Sequence, residues 1–156
     1  MTAEAGLAAL WLAAALALLQ LVMAAVGLRA GREDIAAAVR PVAIVGGVLS
    51  AVAFACLIIV FIYSDMSVKL VAENSHSAKP MIYKVAGAWG NHEGSMLLWV
   101  TVLGLAGAAI AIFEKRLDPR TLTATLGGQA AIGLGFVTDE QFDEWVKPED
   151  MVRPAR

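Results

Sequence analysis

Cysteine is almost missing: Cys56 stands alone in 156 residues, in the middle of an apolar run. A single thiol excludes an internal disulfide. With no Cys-x-x-Cys there is neither a thioredoxin-like pair nor a covalent haem-attachment site of the Cys-x-x-Cys-His kind, so Cys56 is read as a small apolar core residue. Basic charge is scarce too. The net charge is −2 and no basic stripe or nucleic-acid motif is present, so no nucleic-acid partner is expected. The histidines are only two, His76 and His92. His92-Glu93 lacks the second imidazole one turn on that a zinc protease needs, because position 96 is Met. No Gly-Lys-Ser/Thr closes Gly90–Ser95 into a phosphate loop, and nothing like a nucleophile elbow surrounds Ser95. The residues therefore assign no catalytic group and no metal site.

What is present is apolar length. Hydrophobic residues make up 59% of the chain, against roughly 45–50% in an ordinary soluble domain. The charges sit in short stretches between long uncharged runs, which is the pattern of an integral membrane protein. Ala5 to Leu28 is the first run; its only strongly polar side chain is Gln20, and at about 1.5 Å per residue it reaches roughly 36 Å. Glu4 before it and the absence of a leading Lys or Arg argue for a retained helix rather than a signal peptide. Pro41 to Ser64 is the second run, with Pro41 suited to a first helical position and Gly47, Ala51 and Ala55 four apart. Met96 to Phe113 is the third, where Gly104 with Ala108 and Gly107 with Ala111 repeat the small-residue spacing that lets helices approach closely in lipid. Leu122 to Val137 is a weaker fourth run, broken by glycines and too short alone to cross a hydrocarbon core of about 30 Å.

Between the second and third runs, Asp65 to Gly94 is polar but patterned. Val68, Leu70 and Val71 are apolar, 74–77 reads as a loop in which His76 is solvated, and Pro80 opens a short helix. In that helix Met81, Val85 and Trp89 fall on one face, with Tyr83 and Trp89 at head-group depth. A compact polar knot, Trp89 to Ser95, follows just where the third run enters the lipid. Gly90 and Gly94 allow sharp turns there, and Ser95 is placed to cap the third helix. His92 and Glu93 are too costly to sink unpaired, so they pair, face water or meet a ligand. For His92 an interfacial hydrogen bond and a contact to haem or a partner both remain open. Trp99 reads as a belt or packing residue.

The expected fold is all-α: a polytopic membrane helical bundle of three transmembrane helices, a marginal fourth and a short periplasmic interfacial helix. Spans are expected at about 5–28, 41–64, 95–113 and 121–137. The denser cations of the 29–40 and 114–120 stretches favour the cytoplasmic side, leaving Trp89–Ser95 outside. Residues 138–156 change character to an acidic tail in which Thr138 and Gln141 fit a capping box. With no Asp, Glu, Lys or Arg inside any span, a transporter or channel component is disfavoured.

Trp89-Gly90-Asn91-His92-Glu93-Gly94-Ser95, followed by Leu97-Leu98-Trp99-Val100, resembles the amino-terminal signature of CcmF-type haem lyases and their nitrite-reductase-associated (NrfE) relatives. Val71-Ala72-Glu73-Asn74-Ser75, Pro80 and Tyr83-Lys84-Val85-Ala86 also look like that family, and the likeness covers about residues 5–137. The resemblance implies a region, 1–137, of a complex that joins the vinyl groups of haem b to apocytochrome c thiols on the periplasmic side of the bacterial inner membrane. A haem chaperone, apocytochrome c and other maturation subunits are the implied partners beside lipid. His92 becomes a candidate haem contact, and Trp89, Gly90, Glu93, Gly94, Ser95 and Trp99 its motif companions. The family's tryptophan-rich haem-handling segment is not in this sequence, and 138–156 matches nothing in the family. The expectation is thus an amino-terminal fragment that is not catalytic by itself; a non-enzymatic docking subunit is the alternative.

Overall fold

The structure is a computed structural model that describes residues 1–76 and 78–137. Among them run six helices: α1 (Thr2–Ala30), α2 (Glu33–Tyr63), α3 (Lys69–Asn74), α4 (Met81–Gly87), α5 (His92–Phe113) and α6 (Pro119–Val137). No strand occurs among the described residues. Three helices, α1, α2 and α5, are long and apolar enough to cross a membrane.

The four long helices run alternately up and down. Gly6 meets Cys56 and Gly27 meets Ala36 between α1 and α2, and Gly47 meets Gly104 between α2 and α5. Gly127 meets Ala24 between α6 and α1. α2 packs against α1 on one side and α5 on the other, and α6 closes the bundle against α1 and α5. This topology puts both arginine-rich stretches, 29–40 and 114–120, at one end (the Arg end). The 65–94 stretch lies at the other (the turn end).

Each end has its own apolar core. At the turn end Leu10, Leu57, Val60, Phe61 and Leu97 pack with Leu70 and Val71 of α3 and with Ala88. The polar-looking 65–94 stretch therefore folds down as a cap on the bundle, driven by the few apolar side chains it carries. At the Arg end Ala24, Val39, Ala43, Ala111, Leu122 and Leu126 form the second core.

Two helix starts differ from the sequence expectation. α2 begins at Glu33, so Pro41 lies inside it rather than at its first turn. A proline there removes one backbone hydrogen bond. Its place in the Arg-end half of the helix is where head groups and water can satisfy the freed carbonyl, and Pro41 is exposed. Arg40, just before it, donates from Nη2 to the Glu114 carbonyl at the end of α5, joining α2 to α5 at that end.

α6 is more regular than its composition promises. It starts at Pro119, with Asp118 Oδ2 accepting from the Arg120 amide at 3.1 Å, and its 19 residues reach roughly 28 Å. Buried polar groups dock it. Gln20 Nε2 donates to the Leu126 carbonyl at 2.7 Å and to Gln129 Oε1 at 3.2 Å. In lipid, where apolar helices gain nothing from leaving a hydrocarbon solvent, such bonds and close packing hold a helix that hydropathy alone would not. The expected capping box at Thr138 and Gln141, and the acidic tail, lie outside the described residues.

Candidate functional site

The site is built where α4 hands the chain to α5. α4 ends at Gly87, whose Cα faces the Phe61 ring so closely that a Cβ would stand 3.0 Å from it. Ala88 is buried in the turn-end core. Trp89 lies past the end of α4, not on its helical face, and its ring meets Phe54 of α2 with centroids 6.5 Å apart and planes at 37°. Met81, Ile82 and Tyr83 are exposed, while Lys84 to Gly87 turn toward the bundle. The stripe expected from Met81, Val85 and Trp89 is therefore split: its first member is exposed and its last belongs to the turn.

Asn91 makes the corner. Its backbone is extended (φ −112°, ψ 169°), and its Oδ1 accepts from the Gly94 amide at 2.6 Å, capping α5. Its Nδ2 donates to the Gly87 carbonyl at 2.9 Å, so one side chain ties the end of α4 to the start of α5. Ser95, the cap expected from the sequence, sits inside the first turn and donates its amide to the Asn91 carbonyl at 3.0 Å. The helix starts one turn earlier than the apolar run suggests because Asn is among the best cap residues and Glu93 favours the positive end of the helix dipole.

His92 is consequently the first residue of α5 and is exposed; Glu93 beside it is half-buried, and Gly90 is exposed. Gly94 is buried so tightly that a Cβ there would lie 1.9 Å from the Ala88 carbonyl oxygen. Trp99, two turns into the helix, is exposed, as is Trp11 on α1. Trp11 and Trp99 each lie roughly 10–14 Å along their helix from the turn end at about 1.5 Å per residue. The motif residues Trp89, Gly90, His92, Glu93, Gly94 and Ser95 are gathered at one corner. Trp99 stands apart from them, two turns along α5. His76 is exposed in its own loop.

Removing the corner clamp is expected to be costly. Asn91→Ala loses the cap and the Gly87 bond together, worth about 1–2 kcal/mol. The thermal midpoint in detergent should fall by roughly 2–8 °C, with Asn91→Asp recovering part of the loss through the cap alone.

A second polar fixture lies across the cap. After α2, which Ser64 caps in the left-handed region (φ 51°), Asp65 Oδ1 accepts from the Ser67 hydroxyl at 2.6 Å and its amide at 3.1 Å. These bonds, the hydroxyl first, hold the Asp65 carboxyl below the usual aspartate range. A depressed carboxylate stabilises the fold fully above its unfolded value, and the contribution goes as pH falls through the folded one. Acidification should therefore loosen the 65–67 turn, seen as faster exchange of the Ser67 amide after correction for intrinsic rates. In Asp65→Asn that extra pH dependence should vanish.

The sequence resemblance implies haem involvement, and the corner can be tested against it. A pocket for a group of haem's size needs several hundred Å3, on the order of 300 or more. A cavity of about 40 Å3 lies between the four long helices and has no His, Cys or Met in its lining. No cluster of three metal-ligating side chains occurs among the described residues. His92 is a single imidazole on an open surface with Trp89 near it in sequence. These residues offer one axial donor and no enclosing wall, so they do not by themselves fit a bound haem.

An up-down bundle with three membrane-crossing helices and a glycine-built, histidine-bearing corner at one end defines a polytopic helical membrane protein. No family model matches the chain. Individual proteins do: the chain is 48% identical over 137 residues to the cytochrome c-type biogenesis protein ccl1 of Rhodobacter capsulatus, covering 88% of this chain and 21% of that protein. It is 46% identical to CycK of Rhizobium meliloti, over 87% of this chain and 20% of the relative, and 40% identical to CcmF of Pseudomonas aeruginosa, over 88% and 21%. The chain belongs to the CcmF/CycK family of cytochrome c-type biogenesis proteins, and it spans about a fifth of the length of these relatives. A solved structure described as cytochrome c haem lyase CcmF shares the fold, with a TM-score of 0.84 and 24% identity over 99% of this chain and 26% of that one.

Proposed function

We propose that this bundle serves cytochrome c maturation by presenting the Trp89–Ser95 corner at the periplasmic face of the bacterial inner membrane. There it works as part of a haem lyase of the kind its relatives represent. The observation that carries this reading is the clamp. Asn91 and Gly94 fix His92 as the first, exposed residue of a membrane-crossing helix, where a partner or cofactor can reach it from outside the lipid. The topology supports the orientation. Stretch by stretch the cations are level, but the fold brings Arg29, Arg32, Arg40, Lys115, Arg116 and Arg120 to one end against Lys69, Lys79 and Lys84 at the other. By the rule that cationic short loops stay inside, the Arg end is cytoplasmic.

On this reading residues 1–137 are the family region, and haem b, apocytochrome c, a haem chaperone and other maturation subunits meet it from the periplasm. His92 contributes at most one ligand, with Trp89, Gly90, Glu93, Gly94, Ser95 and Trp99 shaping and positioning the corner. The open surface around His92 favours a second use of the same corner, as a docking face for a maturation partner.

One substitution separates the two uses. His92→Ala in the intact protein should lower covalent haem on a reporter cytochrome c. If His92 touches haem, the purified complex loses haem absorbance while its subunits still co-purify. If it docks a partner, co-purification falls and any haem absorbance stays. Unchanged cytochrome c, haem absorbance and co-purification together would refute the proposal.

A further inference from the structure

We propose that the centre of the bundle is a hydration site: ordered water, held by Gln20, Ser50 and Gln129 between the four long helices. The cavity there measures about 40 Å3. One water needs roughly 10–15 Å3 measured in this way, so the space admits about three or four. Volume alone does not make a cavity wet; polar partners do, and cavities lined by Leu, Ile and Phe stay dry. Three of the side chains in this lining are polar, and the rest are largely Ala and Gly whose small size creates the space.

The hydrogen bonding is incomplete in the way a water site requires. Gln20 is 3% exposed and Ser50 2%, far too buried to reach bulk solvent. Gln20 spends its amide hydrogens on the Leu126 carbonyl and on Gln129 Oε1. Neither Gln20 Oε1 nor Gln129 Nε2 has a bond to another described residue. Ser50 donates to the Gly47 carbonyl at 2.9 Å and keeps its lone pairs. A carbonyl oxygen, an amide N–H and a hydroxyl oxygen around one small space give a water two to four partners, the number it needs. Leaving buried polar groups unmet costs about 1–3 kcal/mol each. An acyl chain filling the space would leave them so.

The site is tested on the full chain in lipid nanodiscs by radiolytic hydroxyl-radical labelling, which marks side chains next to bound water. Leu10, Val100 and Leu134 line the cavity, whereas Leu18 and Leu105 are exposed on the bundle's outer, lipid-facing surface. The expected result is labelling of the first three several-fold faster than of the last two. Ser50→Ala, which removes one hydroxyl and adds no bulk, should lower the cavity labelling while leaving Leu18 and Leu105 unchanged. Cavity residues labelled no faster than the lipid-facing pair would overturn the proposal, showing a dry or acyl-filled centre. Fast labelling unaffected by Ser50→Ala would overturn the part given to Ser50.

Discussion

Gly94→Ala is expected to abolish the Trp89–Ser95 corner while leaving the chain in the membrane. The new methyl carbon would stand 1.9 Å from the Ala88 carbonyl oxygen, 2.8 Å from its carbon and 3.0 Å from the Asn91 Oδ1 that caps α5. The first two are backbone atoms, and Ala88 is pinned in the turn-end core, so the neighbour cannot swing aside. Overpacking of this kind costs about 1–3 kcal/mol, and displacing the cap adds about 1 more. The thermal midpoint should fall by roughly 4–16 °C, and on the proposed function the full-length protein carrying the change should lose cytochrome c maturation. Gly128→Ala is the control. Its Cβ would meet nothing within 4 Å, and in a helix interior the change should be neutral or stabilising by about 0.5–1 kcal/mol.

The second large effect is expected at the crossing of α2 and α5. A Cβ on Gly47 would lie 2.5 Å from the Gly104 carbonyl oxygen and 2.9 Å from Ala108 Cβ. Both belong to the facing helix, so Gly47→Ala must push α2 and α5 apart. In lipid no hydrophobic drive pulls them back, because acyl chains solvate the parted faces as well as the protein did. The loss should be about 1–3 kcal/mol, measured as lower thermal stability in detergent and faster proteolysis of the 65–94 cap. Its neighbour makes the comparison sharp: a Cβ on Gly46 meets only Leu16 Cβ at 3.9 Å, so Gly46→Ala should cost nothing measurable.

Hydropathy and motif together made much of this molecule legible. The apolar runs were visible because lipid selects length and apolarity directly. The pairs Gly104–Ala108 and Gly107–Ala111 do fall at interfaces, against Gly47 and Ser50 for Gly104, and Gln129 for Gly107. Spacing alone was a weaker guide on α2. Gly47 is at the crossing, but Ala51 is half-buried and Ala55 is exposed, because an interval of four drifts around a helix of 3.6 residues per turn. The cap was missed for a related reason. The uncharged run starts at Met96, and Ser95 beside it drew attention from Asn91, although Asn followed two residues later by Glu was a readable start signal. Pro41 misled because a proline usually opens a helix, whereas here α2 continues through it toward the head groups. The docking of α6 was not legible at all. It depends on Gln20 reaching a backbone carbonyl more than a hundred positions away, and no local pattern encodes that.

The measurement that bears most directly on the account is the side of the membrane on which position 92 lies. In a Cys56→Ala background, His92→Cys would be exposed to a membrane-impermeant maleimide on intact spheroplasts, with Lys115→Cys as the opposite-end reference. The expected result is prompt labelling at 92 without permeabilisation, and labelling at 115 only after it. The reverse pattern, with 92 reached only from the cytosol, would contradict a role for this corner in haem attachment outside the cell membrane.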